Sequence, residues 1–143
     1  MKLDILATNE SHISELTSLF LEICREIDPN AIPKGAANIF VKALSENDKF
    51  FLAKVNGENI GYIWTSIQRK ANKQVCALFD MSIKQDFRNK GADKIMLDFV
   101  KEYAKKSDCS DVHVEIDLHN KSSIHFFEKH GFKETKKVVE FKL

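Results

Sequence analysis

The chain lacks an excess of either charge, a cysteine pair, a long apolar run and any low-complexity linker. Its 22 basic and 21 acidic side chains leave a net charge of +1. That balance carries no electrostatic footprint for nucleic acid, which shows as a basic excess on one face. Arg69, Lys70 and Lys73 sit close together in sequence and are read as a solvated loop. Cys24, Cys76 and Cys109 are odd in number, far apart and without a CxxC. A disulfide framework or a zinc site is therefore not expected, and the three read as reduced thiols of a cytoplasmic protein. No stretch is apolar enough to span a membrane, and Met1–Leu6, with Asp4 inside it, does not read as a signal peptide. A Walker-type Gly-Lys-Ser/Thr and a GxGxxG are also missing, which argues against the common mononucleotide and dinucleotide folds.

What is present suits one α/β domain. The 143 residues, 43% hydrophobic and 30% charged, provide one core and not two. Leu3, Ile5 and Ala7 suggest a first strand. Ile13, Leu16, Phe20, Ile23 and Ile27 recur at helical spacing from about Ser11, and Asp28-Pro29-Asn30 stops that helix. A weaker helix follows Pro33. Phe50–Val55, Asn56-Gly57 and Ile60–Ile67 form a hairpin signal, since Asn-Gly suits a type I′ turn. After the Arg69–Lys73 loop, Val75–Ile83 alternates as a strand. Its pattern predicts Val75, Ala77, Phe79, Met81 and Ile83 on one face and Cys76, Leu78, Asp80 and Ser82 on the other. Gly91 opens a helix carrying Ile95, Met96, Phe99, Val100 and Tyr103. Val112, Val114, Ile116 and Leu118 predict a strand, Asn120–His130 a short helix ended by Gly131, and Val138–Leu143 a strand closing the sheet. The expected fold is β-α-α-β-β-β-α-β-α-β, a mixed, mostly antiparallel sheet with helices on both faces.

The segment with the clearest chemistry is Ile83-Lys84-Gln85-Asp86-Phe87-Arg88-Asn89-Lys90-Gly91-Ala92-Asp93. It joins a strand to a helix, so free amides converge at the positive end of a helix dipole. Gly91 permits close approach of a ligand, and Arg88 and Lys90 add positive charge. Such a junction suits a pyrophosphate.

This segment resembles the acetyl-CoA signature of the GNAT superfamily, Arg/Gln-x-x-Gly-x-Gly/Ala after the fourth strand. Arg88 and Gly91 match it, and Phe87 matches an aromatic residue before the Arg. Further on, Ile116 and Asn120 match a Val-x-x-x-Asn at the end of the fifth strand. Asn120–Phe132 is similar to Asn-x-x-Ala-x-x-Leu-Tyr-x-x-x-Gly-Phe. The resemblance covers the order of elements along the whole chain. It implies that amides of Arg88, Asn89, Lys90, Gly91, Ala92 and Asp93 hold a pyrophosphate. It also implies that backbone at Met81, Ser82 and Ile83 pairs with a pantetheine arm as an added strand. Acetyl-CoA would be the co-substrate. A small-molecule or peptide amine would be the acceptor, and dimers are common among relatives.

Two positions depart from the family pattern. Asp93 stands at a usual Gly or Ala, and is expected to point outward, favoured by the helix dipole. Phe127 stands where many relatives have a Tyr placed to protonate the departing thiolate. A thiol pKa of about 8.5 makes the thiolate a tolerable leaving group, so losing that acid would slow transfer without preventing it.

Direct transfer needs a neutral amine, and a lysine-like amine is less than ~0.1% neutral near pH 7. A base must take the proton, and an N–H donor must polarise the thioester carbonyl. Asp80 is the first candidate base, followed by Glu115 and Asp117, then His119 and His113; each also reads as a solvent-facing strand residue. The resemblance also places Asn120 and Phe127 beside the cofactor, where Phe127 packs under it; Asn120 also reads as a helix N-cap. Acceptor specificity is expected from the first helix and from the Asp28–Gly35 and Arg69–Lys73 loops. There Glu22, Glu26 and Asp28 either attract a cationic amine or form the wet side of a helix. The rival to an enzyme is a catalytically silent module of the same fold that binds CoA or another ligand.

Overall fold

The computed structural model describes residues 1–143. Strand β1 (Asp4–Ala7) leads through a 3-10 turn to helix α1 (Ile13–Ile27), and α2 (Ala36–Ser45) follows. Strands β2 (Lys49–Val55), β3 (Glu58–Lys70) and β4 (Lys73–Ile83) form a meander. Helix α3 (Ala92–Lys106), strand β5 (Asp111–Val114) and helix α4 (Lys121–Lys129) complete the order. The sheet runs β1-β2-β3-β4-β5, antiparallel except for the parallel β4–β5 pair.

The turns follow their residues. Asn56 (φ 50°) and Gly57 (φ 79°) take the two left-handed positions of the β2–β3 turn, as the Asn-Gly pair predicts. The expected Arg69–Lys73 loop is shorter: β3 and β4 extend to Lys70 and from Lys73, leaving Ala71-Asn72 as the connection.

Each face of the sheet carries its own core. On one side Leu16, Leu19 and Ile23 of α1 and Phe40 and Ala43 of α2 pack on Phe50, Leu52 and Tyr62. On the other, Met96, Leu97, Val100 and Ala104 of α3, with Phe127 of α4, pack on Phe51, Ala53, Ile63, Cys76, Leu78 and Ile83. Burial of apolar side chains at roughly 25 cal/mol per Å2 holds both layers on the sheet. Helices thus cover both faces, as expected.

Three expectations need correction. The first concerns the faces of β4. Trp64 pairs with Asp80 but Thr65 pairs with Leu78, so Phe79 is an extra, unpaired residue. A β-bulge of this kind reverses the alternation beyond it. Phe79 packs on Trp64 and is 49% exposed, while Met81 and Ile83 join Cys76 and Leu78 on the α3 side. Asp80 and Ser82 fall on the α1 side, where Asp80 meets Tyr62. The second concerns β5, which stops at Val114, opposite Leu78; residues 115–118 lie beyond it. Once the bulge turns β4 away, β5 has no ladder to continue. The third concerns Val138–Leu143, which forms no strand. From Lys133 onward the chain is exposed and makes no backbone hydrogen bond.

Candidate active site

The bulge and the short β5 together open the sheet. Below Leu78 the β4 and β5 strands are paired; from Asp80 to Ile83, β4 has β3 on one side and no strand on the other. Lys84 N–H donates to Ile60 C=O at 2.8 Å, which fixes the phase of the antiparallel ladder. Gly61–Ile83 and Ile63–Met81 are then the non-hydrogen-bonded pairs. The N–H and C=O groups of Met81 and Ile83 therefore point away from β3, into the opening. Those of Ser82 are spent on Tyr62. Of the three residues named on this strand, Met81 presents both backbone groups, Ile83 its N–H, and Ser82 neither.

The loop after β4 has its own fastenings. A 3-10 turn spans Gln85–Phe87. Arg88 Nε donates to Ile83 C=O at 3.0 Å, folding the guanidinium stem back on the strand end. Asn89 (φ 60°) and Gly91 (φ 87°) are left-handed, and Gly91 caps α3 without any side-chain hydrogen bond. Asn89, Lys90 and Gly91 are exposed, and Ala92 is buried against the core. A Cβ added at Gly91 meets nothing within 4 Å; the loop thus bounds open space at the helix N-terminus.

Asp93 makes one local contact at that terminus. Its Oδ1 accepts from Lys94 N–H at 2.8 Å, so the carboxylate satisfies one first-turn amide. A free amide at a helix start takes the nearest acceptor.

Asp80 is the best-held of the candidate bases. Tyr62 Oη donates to its Oδ2 at 2.5 Å, and Ser82 Oγ donates to its Oδ1 at 2.9 Å. Burial, then the neighbouring Asp80 charge, raises the Tyr62 phenol far above its ordinary value, so Tyr62 stays a protonated donor. Tyr62 was not foreseen, since its role depends on a strand register that one sequence does not display. Glu115 and Asp117 are exposed beyond β5, and Asp117 Oδ1 accepts from the His119 backbone at 2.9 Å. His119 is exposed. His113 Nε2 lies 3.2 Å from Asp111, on the stretch of β5 still paired to β4. The structure does not bring these four to Asp80 through any hydrogen bond.

The carboxylates of α1 are engaged by the protein itself. Glu22 pairs with Lys84 at 2.6 Å. Glu26 accepts from Gln85 N–H at 2.9 and 3.1 Å and lies 3.8 Å from Arg88. Asp28 accepts from Asn30 N–H in a turn. These contacts tie α1 to the loop after β4, a link with no periodic signature in sequence. Asn120 is the N-cap of α4, its Oδ1 accepting from Ser123 N–H at 3.2 Å. Phe127 is 8% exposed and meets Phe126 and Phe132 edge to face, each at 5.1 Å. No helix is long and apolar enough to cross a membrane.

Solved structures share this fold. An aminoglycoside N-acetyltransferase, AAC(6')-Iy, solved with CoA superposes with a TM-score of 0.79 at 20% identity, over 99% of this chain and 95% of that one. The same enzyme with a bisubstrate analogue, CoA-S-monomethyl-acetylneamine, also reaches 0.79, over 100% and 99%. In sequence, an uncharacterized N-acetyltransferase of Bacillus subtilis, YhfO, is 26% identical over 97% of this chain and 95% of its own length. One of Methanocaldococcus jannaschii is 31% identical over 66% of this chain, a match spanning only 43% of that protein. Residues 13–132 match the acetyltransferase (GNAT) family, a span running from the start of α1 past α4 and including the whole opening between β4 and β5. With that match and that topology, the chain belongs to the GNAT acetyltransferases.

Proposed function

We propose that the protein transfers an acetyl group from acetyl-CoA to a primary amine of a small molecule or protein, by direct attack within a ternary complex. The observation that carries this reading is the β4 edge left unpaired at Met81 and Ile83, which leads through the Gln85–Phe87 turn into the left-handed Asn89–Gly91 loop and the N-terminus of α3. A strand edge and a helix start in series suit a ligand with an amide-bearing arm and a diphosphate. Backbone N–H groups of Asn89 to Asp93 are the proposed anion donors, with Lys90 adding charge. Met81 and the Ile83 N–H are the proposed partners of the arm; the Ile83 carbonyl is already held by Arg88.

Bound acetyl-CoA supplies a thioester whose carbonyl oxygen gains negative charge as an amine attacks. The Ile83 N–H is the proposed donor to that oxygen, because it points into the opening from a strand fixed on its other side. Asp80 is the proposed base. Two hydrogen bonds orient it on the α1 side of the bulge, from which an amine would approach. Phe127 offers no proton, so the thiolate would leave unassisted or take a proton from water. The loss of a general acid typically costs ~10²–10⁴-fold in rate.

A second reading has one observation in its favour. The Asp93 carboxylate occupies a first-turn amide, in competition with any phosphate there, which suits a silent module. Calorimetry with acetyl-CoA and CoA, followed by thiol release across an amine panel, decides between the two. Binding with amine-dependent thiol release supports the transferase. Binding without release from any amine supports a silent module that holds CoA, and no binding overturns the transferase and leaves only a silent module for another ligand.

A further inference from the structure

Phe79 and Asp80 are neighbours in sequence and stand on the same side of the sheet. In a regular strand they would face opposite ways; the extra residue at the bulge brings them together. The Phe79 ring meets Trp64 edge to face at 5.4 Å, and Trp64 packs on the α1-side core. The Asp80 carboxylate is held by Tyr62, a member of that core. A lone exposed phenylalanine needs no explanation. This one ends a stack of rings beside the proposed base.

The stack is fixed from behind. Phe50 lies under Trp64 at 5.1 Å and 29°, and Phe40 meets Phe50 edge to face at 5.0 Å. Trp64 Nε1–H donates to Asp48 Oδ2 at 2.9 Å, and Asp48 is itself buried. The indole therefore has no hydrogen bond left to offer, and the phenyl ring has none to begin with. What reaches solvent is an apolar wall, made by the exposed Phe79 ring and the half-buried Trp64. Such a wall selects a ligand by apolar area and by ring geometry.

Charge narrows the choice further. Every carboxylate of α1 is engaged by the protein: Glu15 by Lys54, Glu22 by Lys84, and Glu26 by the Gln85 N–H and Arg88. Asp80 is held by two hydroxyls, which orient it and leave its negative charge uncancelled. One free carboxylate beside an apolar wall suits one ammonium on an apolar body. A polyamine would find no second free carboxylate on α1, and the rings would strip water from its remaining charges.

We infer that Phe79 and Trp64 form the platform for the acceptor, and that the acceptor is a monoamine carried on an aryl or similarly flat apolar body. Its role as acceptor rests on the transferase reading; its binding to the platform requires no turnover. Phe79 is then a specificity-determining residue, receiving the body while Asp80 faces the ammonium.

Thiol release from acetyl-CoA, compared for 2-phenylethylamine, propylamine and spermidine, tests the assignment. The kcat/KM for 2-phenylethylamine should exceed that for either other amine by ~10-fold or more, as burial of a ring against the wall implies. Phe79→Ala should erase most of that preference, and Phe79→Trp, which keeps a ring, should preserve it. Trp64 is the only tryptophan of the chain, so its emission reports occupancy of the wall without turnover. With CoA present, 2-phenylethylamine should change that emission saturably and spermidine should not. Release that is equal for the three amines, or fastest with spermidine, overturns the inference and leaves the transferase standing. So does a Phe79→Ala chain that keeps the full preference. A saturable emission change without release from any amine supports the platform and sinks the transferase reading. Absence of both an emission change and a preference overturns the inference.

Discussion

Tyr62 donates to Asp80 across the β3–β4 pair at 2.5 Å, although Tyr62 stands opposite Ser82 and Asp80 opposite Trp64. The diagonal contact exists because the bulge at Phe79 moves Asp80 onto the Tyr62 side. The phenol is kept protonated by burial and by the carboxylate beside it, so it holds Asp80, the proposed base, as a donor and not as a rival acceptor. Asp80→Asn should lower kcat/KM by ~10²–10⁴-fold, the usual worth of a general base, with acetyl-CoA affinity within a factor of two of wild type. Tyr62→Phe should cost less than Asp80→Asn, because it removes orientation and leaves the base. Steady-state kinetics with calorimetry reads both. An Asp80→Asn enzyme of full activity would move the base elsewhere.

Gly91 is constrained by its backbone more than by its neighbours. Its φ of 87° is one that side chains with a Cβ rarely adopt, although a Cβ there meets nothing within 4 Å. Gly91→Val should therefore cost ~1–2 kcal/mol in stability from the left-handed conformation. It should also abolish measurable CoA binding, by placing a branched carbon in the open space assigned to phosphate. Thermal unfolding and calorimetry separate these effects. Unchanged CoA affinity would contradict the assigned loop.

The helices, the Asn56-Gly57 hairpin and the Gly91 start of α3 are legible in sequence because each rests on local signals: periodicity, a turn dipeptide or a terminal glycine. The site is legible only in part. Every residue from Val75 to Phe79 is apolar and the alternation shows only from Phe79 to Ile83, so nothing in that run marks Phe79 as the residue left out of register. The bulge is imposed by pairing with β3, so the side on which Asp80 falls, and Tyr62 as its partner, are tertiary facts. The early end of β5 has the same origin. The tail is the reverse case: its strand pattern is plain, but a strand also needs an edge to pair with, and none within this chain is used.

Gly61 fixes the spacing of the strand that carries the opening. A Cβ there would lie 2.5 Å from the Ser82 carbonyl oxygen and 3.3 Å from the Met96 methyl. The first obstacle is backbone and cannot rotate away. Gly61→Ala should destabilise the protein by ~1–3 kcal/mol, as overpacking does. It should also shift Ser82 and Ile83, raising the KM for acetyl-CoA more than the KM for the amine. Denaturant unfolding and two-substrate kinetics test both consequences.

Phe127 is a core residue first. Its ring lies between Phe126 and Phe132 and closes the α4 end of the α3-side core. Phe127→Ala should cost ~3–5 kcal/mol, in the range for large-to-small core truncation. Phe127→Tyr keeps the ring, should leave acetyl-CoA affinity intact, and should raise kcat if its hydroxyl reaches the departing sulfur. A Tyr variant with lower kcat and weaker binding would assign the position to packing alone.

Cys76 gives stability an alkaline limit. It is buried in the α3-side core, and burial raises its thiol from 9.0 to about 11. Well below the ordinary thiol pKa, near neutral pH, the thiol is protonated in both folded and unfolded chains and contributes no pH dependence. Between 9 and about 11 the unfolded chain releases the proton while the folded one retains it, so the unfolded state binds fewer protons and stability falls as pH rises. At 1.36 kcal/mol per unit the loss from this thiol approaches roughly 2–3 kcal/mol at the top of that window. The raised Tyr62 phenol acts in the same direction above pH 10. Urea unfolding between pH 8 and 11 should therefore show a falling midpoint. Cys76→Ala should flatten the first part of that fall at the cost of a small core cavity. A wild-type midpoint that stays level to pH 11 would mean that water reaches the thiol, and that the α3-side core is looser around β4 than the packing of Cys76 and Leu78 indicates.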